Sequence, residues 1–436
     1  MSVKPITAII VGAGHRAITY ASYAQRRPDE LQIVGVAEPN ELRRKQVADL
    51  YGIPEDRTFR TAQELAEHPR FADAVINGTM DQDHVPTSIP LLKAGYHMLL
   101  EKPFAVNEKE MWELVDVARK YDRTVMICHV LRYAPFYARI RQLVADGVIG
   151  EIINMQTTEH VSYHHMAVAF IRGKWANEDV CGSPMLMAKC CHDLDLIAWM
   201  KSGIKPVKVS SFGSLMYFRK EKAPKGSGTR CVVDCPPEVE QECLYSARKH
   251  YLDHPNRWRF YVWHELEHVE NPTLEQKAEL LKTSEYGRCV WKSDNNVVDH
   301  QSVMIEFADG STATHNMMGG SSRPSRSIHL LGTHGEIQGY LEESKFVVRH
   351  PDPRPGQEYS EEVVDLKITG DMHGAFGGHG GGDLRLAADF CRTLRGEKPS
   401  ISCTSLEDSV SGHLIGFRAD RAMKQGRVEL LDQRAD

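Results

Sequence analysis

Three side chains able to carry protons stand out by their settings. Lys102 lies in Glu101-Lys102-Pro103, which abruptly ends an apolar run in "HMLLEKP". A lysine at the rim of an apolar site can have a lowered pKa and can hydrogen-bond a reacting hydroxyl. Pro103 fixes the chain direction and leaves the preceding peptide able to be cis. A solvated lysine at a strand end is the plain alternative. Lys189 and His192 share one face of the helix expected over "SPMLMAKCCHDLDLIAWM" (183–200), together with Met185 and Leu196. Ser183 reads as its N-cap and Pro184 as its first turn. Asp195, three residues past His192, is placed to orient the imidazole, although a lone histidine on such a helix is more often structural.

Other groups could bind rather than react. "TTEHVSYHHMAVAFIRGKW" (157–175) interleaves Tyr163, His165, Arg172 and Trp175 with further polar groups. Hydrogen-bonding edges alternating with aromatic faces suit a polyhydroxylated ligand; a polar surface loop is the alternative. Its histidines lack the Glu–His spacing of a helical zinc site. "FGGHGGGDLRLAADF" (376–390) is a glycine loop opening a helix, and His379 and Asp383 are expected to face a substrate beneath it. Cys231, Cys235, Cys243 and Cys289 could offer four thiolates to a structural zinc, with free thiols the competing reading.

These groups need a scaffold. Over the first third, continuous apolar runs such as "ITAIIV", "LQIVGVA" and "DAVIN" alternate with helical segments. That is the pattern of a parallel sheet covered on both faces. "GAGHRA" (12–17) follows the first run and fits G-x-G-x-x-G/A. Gly12 makes the tight turn, Gly14 lets the backbone approach a pyrophosphate, and Ala17 allows close helix–sheet packing. The free N–H groups where His15 and Arg16 open the helix suit phosphates. Glu38 ends the second run, 26 residues after Gly12. A carboxylate there accepts hydrogen bonds from the adenosine ribose and repels a 2′-phosphate, favouring NAD. Arg43 and Arg44 nearby keep NADP open. Residues 1–129 are expected to form a Rossmann doubly wound parallel sheet. Residues 130–436 are expected to form a second α/β domain with an open, mostly antiparallel sheet and an insertion at about 218–297.

With "GAGHRA", the Glu38 strand end, "TMDQDH" (79–84), "HMLLEKP" and "RYAPFYARIRQLVADGVIGEI" from Arg132, the chain resembles the Gfo/Idh/MocA family over about residues 6–215. Those proteins are NAD(P)-dependent oxidoreductases of sugars and cyclitols. The resemblance implies that Lys102 reaches substrate and nicotinamide, and that Thr79, His84 and Glu101 line the cofactor. It places Arg132 near the nicotinamide and makes His192, in its H-x-x-D setting, a general acid/base. It also implies a homodimer or homotetramer built through the open sheet. One departure matters. Many members carry aspartate four residues before the histidine, where this chain has Ala188 beside Lys189, so Lys189 could act as a second base.

The bulk numbers fit that reading. The chain has 436 residues, 42% hydrophobic and 26% charged, with net charge −6 and no long basic run. Nucleic acid and anionic membrane are therefore weak partners. The N-terminal run does not read as a secretory signal, no apolar run approaches membrane-spanning length, and ten cysteines are too few for a disulfide scaffold. Cytoplasm is the expected compartment. Three functions compete: an NAD-dependent oxidoreductase of a sugar or cyclitol, an NAD-dependent glycosidase working through a transient keto-sugar, and a non-catalytic NAD(P)-sensing regulator. Lys102 and His192 argue against the last.

Overall fold

The apolar runs of the first third lie side by side. In the computed structural model, which describes residues 4–254, 258–367 and 379–431, they form six strands. These are β1 (Ile6–Val11), β2 (Leu31–Ala37), β3 (Thr58–Phe59), β4 (Ala74–Asn77), β5 (His97–Leu100) and β6 (Val125–Ile127). All pairings are parallel, in the order β3-β2-β1-β4-β5-β6. Successive residues of β1 enter different cores: Ile9 and Val11 join one cluster, Ala8 and Ile10 another. That two-sided burial is why the run is apolar without alternation. Strand order reverses between β1 and β4, so a crevice opens at their carboxyl ends. Helices α1 (His15–Ala21), α2 (Glu41–Tyr51), α3 (His84–Lys93) and α4 (Glu108–Lys120) connect these strands.

A second sheet of nine strands follows. Its members are β7 (Ile152–Ser162), β8 (Pro206–Ser214), β9 (His300–Phe307), β10 (Thr312–Ser321), β11 (Ser325–Gly332), β12 (Glu336–Tyr340), β13 (Lys345–Pro351), β14 (Tyr359–Asp365) and β15 (Glu429–Leu430). Only the central β7–β10 pair is parallel. The remaining pairs are antiparallel, as their alternating patterns predict. One face carries helix α5 (Met185–Met200), where Leu194 and Ile197 are buried. A later helix, α7 (Leu406–Gln425), packs on α5 through Gly412 and Gly416: a Cβ on Gly412 would stand 2.9 Å from Asp195 Cα. The close approach leaves room for hydrogen alone.

The N-cap reading needs correction, and the alternative of a surface loop at 157–175 does not hold. Helix α5 is capped by Pro184 without a side-chain bond, and Ser183 lies one residue outside with its hydroxyl buried and unpartnered among the described residues. Residues 157–175 are no surface loop: β7 runs to Ser162, and Met166–Ile171 winds into a fully buried turn. The glycine segment falls partly outside the described residues, at 376–378, and helix α6 (Gly382–Leu394) follows it. Helix α6 returns to the first sheet, where Leu386, Ala387 and Phe390 join Ile10, Tyr20 and Met126 in one buried cluster. Among the described residues, no helix is long and apolar enough to cross a membrane.

Candidate active site

The turn after β1 is built as its glycines require. Gly12 sits at φ +76°, and a Cβ there would meet Thr79 N at 2.9 Å. Gly14 is the N-cap of α1 with extended backbone, leaving the first helical N–H groups open. Ala17 faces Gly78 so closely that a Cβ on Gly78 would lie 2.8 Å from Ala17 Cβ. At the end of β2, the Glu38 carboxylate accepts from Ala13 N (2.6 Å) and Asn40 N (2.8 Å), which braces the turn. These residues open onto a cleft of about 480 Å³ that also includes His15, Thr79, His84, Lys102 and Trp175. His84 lies between Pro103 O (2.7 Å) and Thr79 O (3.1 Å), tying two of its loops together.

Lys102 stands at the β5 end of this cleft, followed by a cis peptide to Pro103. Its amine donates to Ala188 O at 3.0 Å, one helical turn before His192. Its surroundings shift its pKa upward rather than downward. Burial opposes the charge, but Cys191, Glu101 and Asp81 outweigh it and hold the amine above the ordinary lysine value. Glu101 accepts from Tyr20 Oη (2.6 Å), Arg16 Nε (3.0 Å) and Lys102 N (2.6 Å). Burial works against its ionisation; the Arg16 and Lys102 charges nonetheless keep it below the usual carboxylate range. Arg16 also pairs with Asp383 at the start of α6, and His379 Nδ1 contacts Asp383 at 2.9 Å. Arg16 Nε and Nη2 are therefore taken by carboxylates, while Nη1 is buried without a hydrogen-bond partner among the described residues. Asp383 is wholly buried in this pair and is not among the residues lining the cleft.

His192 is 8% exposed, and burial, followed by the Lys102 charge, pushes its pKa well below the ordinary value. Both effects favour the neutral imidazole, and its Nδ1 has no partner among the described residues. Asp195 does not orient it. Both Asp195 oxygens accept from Arg132, at 2.7 and 2.5 Å, and Arg132 Nη1 donates to Cys403 O at 3.0 Å. The Arg132 guanidinium is buried in this ion pair, and neither it nor His192 is among the residues lining the cleft. Two imidazoles flank His192: His129, edge-on with ring centroids 5.7 Å apart, and His379, tilted at 6.4 Å. Lys189 turns to Glu159 (3.0 Å), which also binds Arg326 at 2.5 Å; Arg326 reaches Asp193 at 3.0 Å. Those four charges neutralise one another behind the helix.

The segment 157–175 divides. Trp175 faces the cleft and donates to Asp81 at 3.2 Å. Arg172 instead holds the insertion, donating to Arg288 O (2.6 Å) and Tyr245 O (2.7 Å). His165 stacks on Trp258 with centroids 3.7 Å apart, and Tyr163 packs edge-on against Tyr245 and His250. Sequence spacing could not reveal that the insertion itself reaches the cleft through Tyr261, His264 and Tyr286. Cys231, Cys235, Cys243 and Cys289 do line one pocket, of about 10 Å³, as free thiols. Burial raises Cys243 to about 11. Among the described residues, three donor atoms lie within 4.8 Å of one another only at Cys190, Asp193 and His315.

A parallel sheet with an open phosphate turn, an acid ending β2 and a lysine ending β5 defines a dinucleotide-dependent oxidoreductase. Residues 6–129 match "Oxidoreductase family, NAD-binding Rossmann fold", and residues 141–430 match "Oxidoreductase family, C-terminal alpha/beta domain". The chain belongs to the Gfo/Idh/MocA oxidoreductase family. It is 22% identical to YteT of Bacillus subtilis over 73% of this chain and 72% of that one. It is 25% identical to inositol 2-dehydrogenase of Corynebacterium glutamicum, over 47% of this chain and 57% of that one. For trans-1,2-dihydrobenzene-1,2-diol dehydrogenase of Xenopus laevis the identity is 27%, over 42% and 53%. Much of the length of the last two relatives therefore lies outside the match. Levoglucosan dehydrogenase in complex with NADH shares the fold with TM-score 0.69 at 16% identity, covering 99% of this chain and 100% of that one. Scyllo-inositol dehydrogenase of Lactobacillus casei does so with TM-score 0.65 at 14% identity, with the same coverage.

Proposed function

We propose that this enzyme moves a hydride between a ring hydroxyl of a sugar or cyclitol and NAD, in the cytoplasm. The observation that carries the reading is the meeting of Lys102 with helix α5 one turn before His192, at the end of a cleft that begins at Gly12 and Glu38. The residues present fit a dinucleotide: Gly12 and Gly14 leave space beside free helix N–H groups, and Glu38 lines the same cleft, where it would meet the adenosine ribose. When bound, the nicotinamide supplies the hydride acceptor. Neutral His192 takes the hydroxyl proton during oxidation, and the Lys102 ammonium hydrogen-bonds the same oxygen as negative charge grows on it. Glu101, held by Arg16 and Tyr20, keeps that ammonium charged. Trp175 and Tyr261 offer aromatic faces to an apolar ring face. Relatives named for inositol and levoglucosan support the substrate class.

Transient oxidation followed by glycoside cleavage is the lesser reading, because its extra base, Lys189, is held by Glu159. A panel of cyclitols, sugars and glycosides, assayed for NADH formation, tests the proposal; no turnover with any would sink it. A structural zinc on Cys231, Cys235, Cys243 and Cys289 is checked by elemental analysis, where less than about a tenth of an equivalent of metal ends the idea. The outer face of the second sheet exposes Phe212 (77%) and Met304 (58%), and we assign it to a homodimer or homotetramer contact. Light scattering that gives a monomer mass would remove that assignment.

A further inference from the structure

Both arginines that follow the acid of β2 are already engaged. Arg44 donates to Glu38 O (2.6 Å) and Pro39 O (3.3 Å). Arg43 Nε donates to the two oxygens of Glu267 at 3.0 and 2.9 Å, and Asn40 Nδ2 adds a bond to the same carboxylate at 3.2 Å. Glu267 is supplied by the insertion, 224 residues along the chain from Arg43. Its place does not depend on the ion pair alone. Tyr261, His264 and Tyr286 of the same insertion line the cleft with Gly12 and Glu38, and the Phe260 ring lies 5.3 Å from His15.

We infer that Glu267 is a coenzyme-specificity residue, which withdraws Arg43 from an adenosine 2′-phosphate and so selects NAD over NADP. The inference rests on the cleft being the dinucleotide site proposed above. An arginine beside the ribose position is the group that would fork onto a 2′-phosphate. Here its Nε–H is committed to a carboxylate, and the phosphate would bring two more negative charges near Glu38 and Glu267. NADP would have to break the pair and then face both acids. The side chains of Arg43 and Glu267 are 30% and 26% exposed, so water screens the pair and the discrimination is moderate.

The test is fluorescence titration of the full chain with NADH and with NADPH, for the unmodified protein, Glu267→Gln and Glu267→Gln/Arg43→Ala. Glu267→Gln is expected to raise the NADPH:NADH affinity ratio roughly five- to tenfold, and removing Arg43 as well is expected to cancel that gain. An unchanged ratio in Glu267→Gln overturns the inference, as does a gain that survives the loss of Arg43. An unmodified protein that prefers NADPH also overturns it while leaving the dinucleotide site intact. Binding of neither coenzyme instead overturns the site reading, and this inference with it.

Discussion

Asp195 grips Arg132 rather than His192. Its two oxygens take the guanidinium at 2.7 and 2.5 Å, and the imidazole within 4 Å of it is that of His129, at 3.7 Å. The pair fastens α5 to the segment after β6, with Arg132 also bonded to Cys403 O. Asp195→Ala would strand a buried guanidinium and is expected to cost about 3–5 kcal/mol of stability, read by urea unfolding. If Asp195 instead served His192, the variant would lose turnover while its unfolding midpoint stayed in place.

Lys102→Met removes the ammonium beside Ala188 O without touching the phosphate turn. Turnover is expected to fall by about a hundredfold or more, with NADH affinity changed far less. Equal losses in both would show that Lys102 works in coenzyme binding alone.

The acid limb of the pH–rate profile should follow His192. Its pKa is depressed, which favours the free base at neutral pH, so oxidation should slow only well below the ordinary histidine range. Lys102 is raised above the ordinary lysine value and should stay charged into the alkaline range. His192→Asn is expected to lower the rate and erase the acid limb. An acid limb that persists in this variant would assign the base elsewhere.

Asp383 gives stability a pH dependence. Burial opposes its ionisation, but the Arg16 and His379 contacts depress its pKa well below the usual carboxylate range. A carboxylate depressed on folding stabilises above its unfolded pKa of about 3.9, and that contribution drains away as pH falls from about 5. Asp383→Asn should therefore flatten the fall of the urea midpoint over that window. An equally steep fall would assign acid sensitivity to other carboxylates.

Gly12→Ala places a methyl in a left-handed turn 2.9 Å from Thr79 N. Backbone strain alone costs about 1–2 kcal/mol, and the loop must also shift. Weakened NADH binding in titration is the expected result; unchanged affinity would detach the turn from the coenzyme.

Local pattern and tertiary pairing were not equally legible. Strands buried on both faces, the turn at Gly12–Ala17 and the lysine after β5 each depend on neighbours within a few residues, so their chemistry shows in the chain itself. The partners of charged groups do not. Arg16 finds Asp383 across 367 residues and Arg132 finds Asp195 across 63. Lys189 looked like a free base because Glu159 and Arg326 come from separate strands. The insertion was visible as a change in composition, whereas its contact with Arg43 and the cleft depends on how it folds back.

The homeward path of helix α6 sets a limit on dissection. Phe390 and Leu386 fill the nucleotide layer beside Tyr20, and Ile127 N is bonded to Thr404 O at 2.9 Å. A fragment cut after residue 129 would lack this apolar cover and a backbone acceptor on its outermost strand. It should be sticky and poorly soluble when expressed alone, and adding 379–431 in trans should restore it. The halves of this enzyme are interlocked, so grafting one onto another protein requires carrying both ends of the thread.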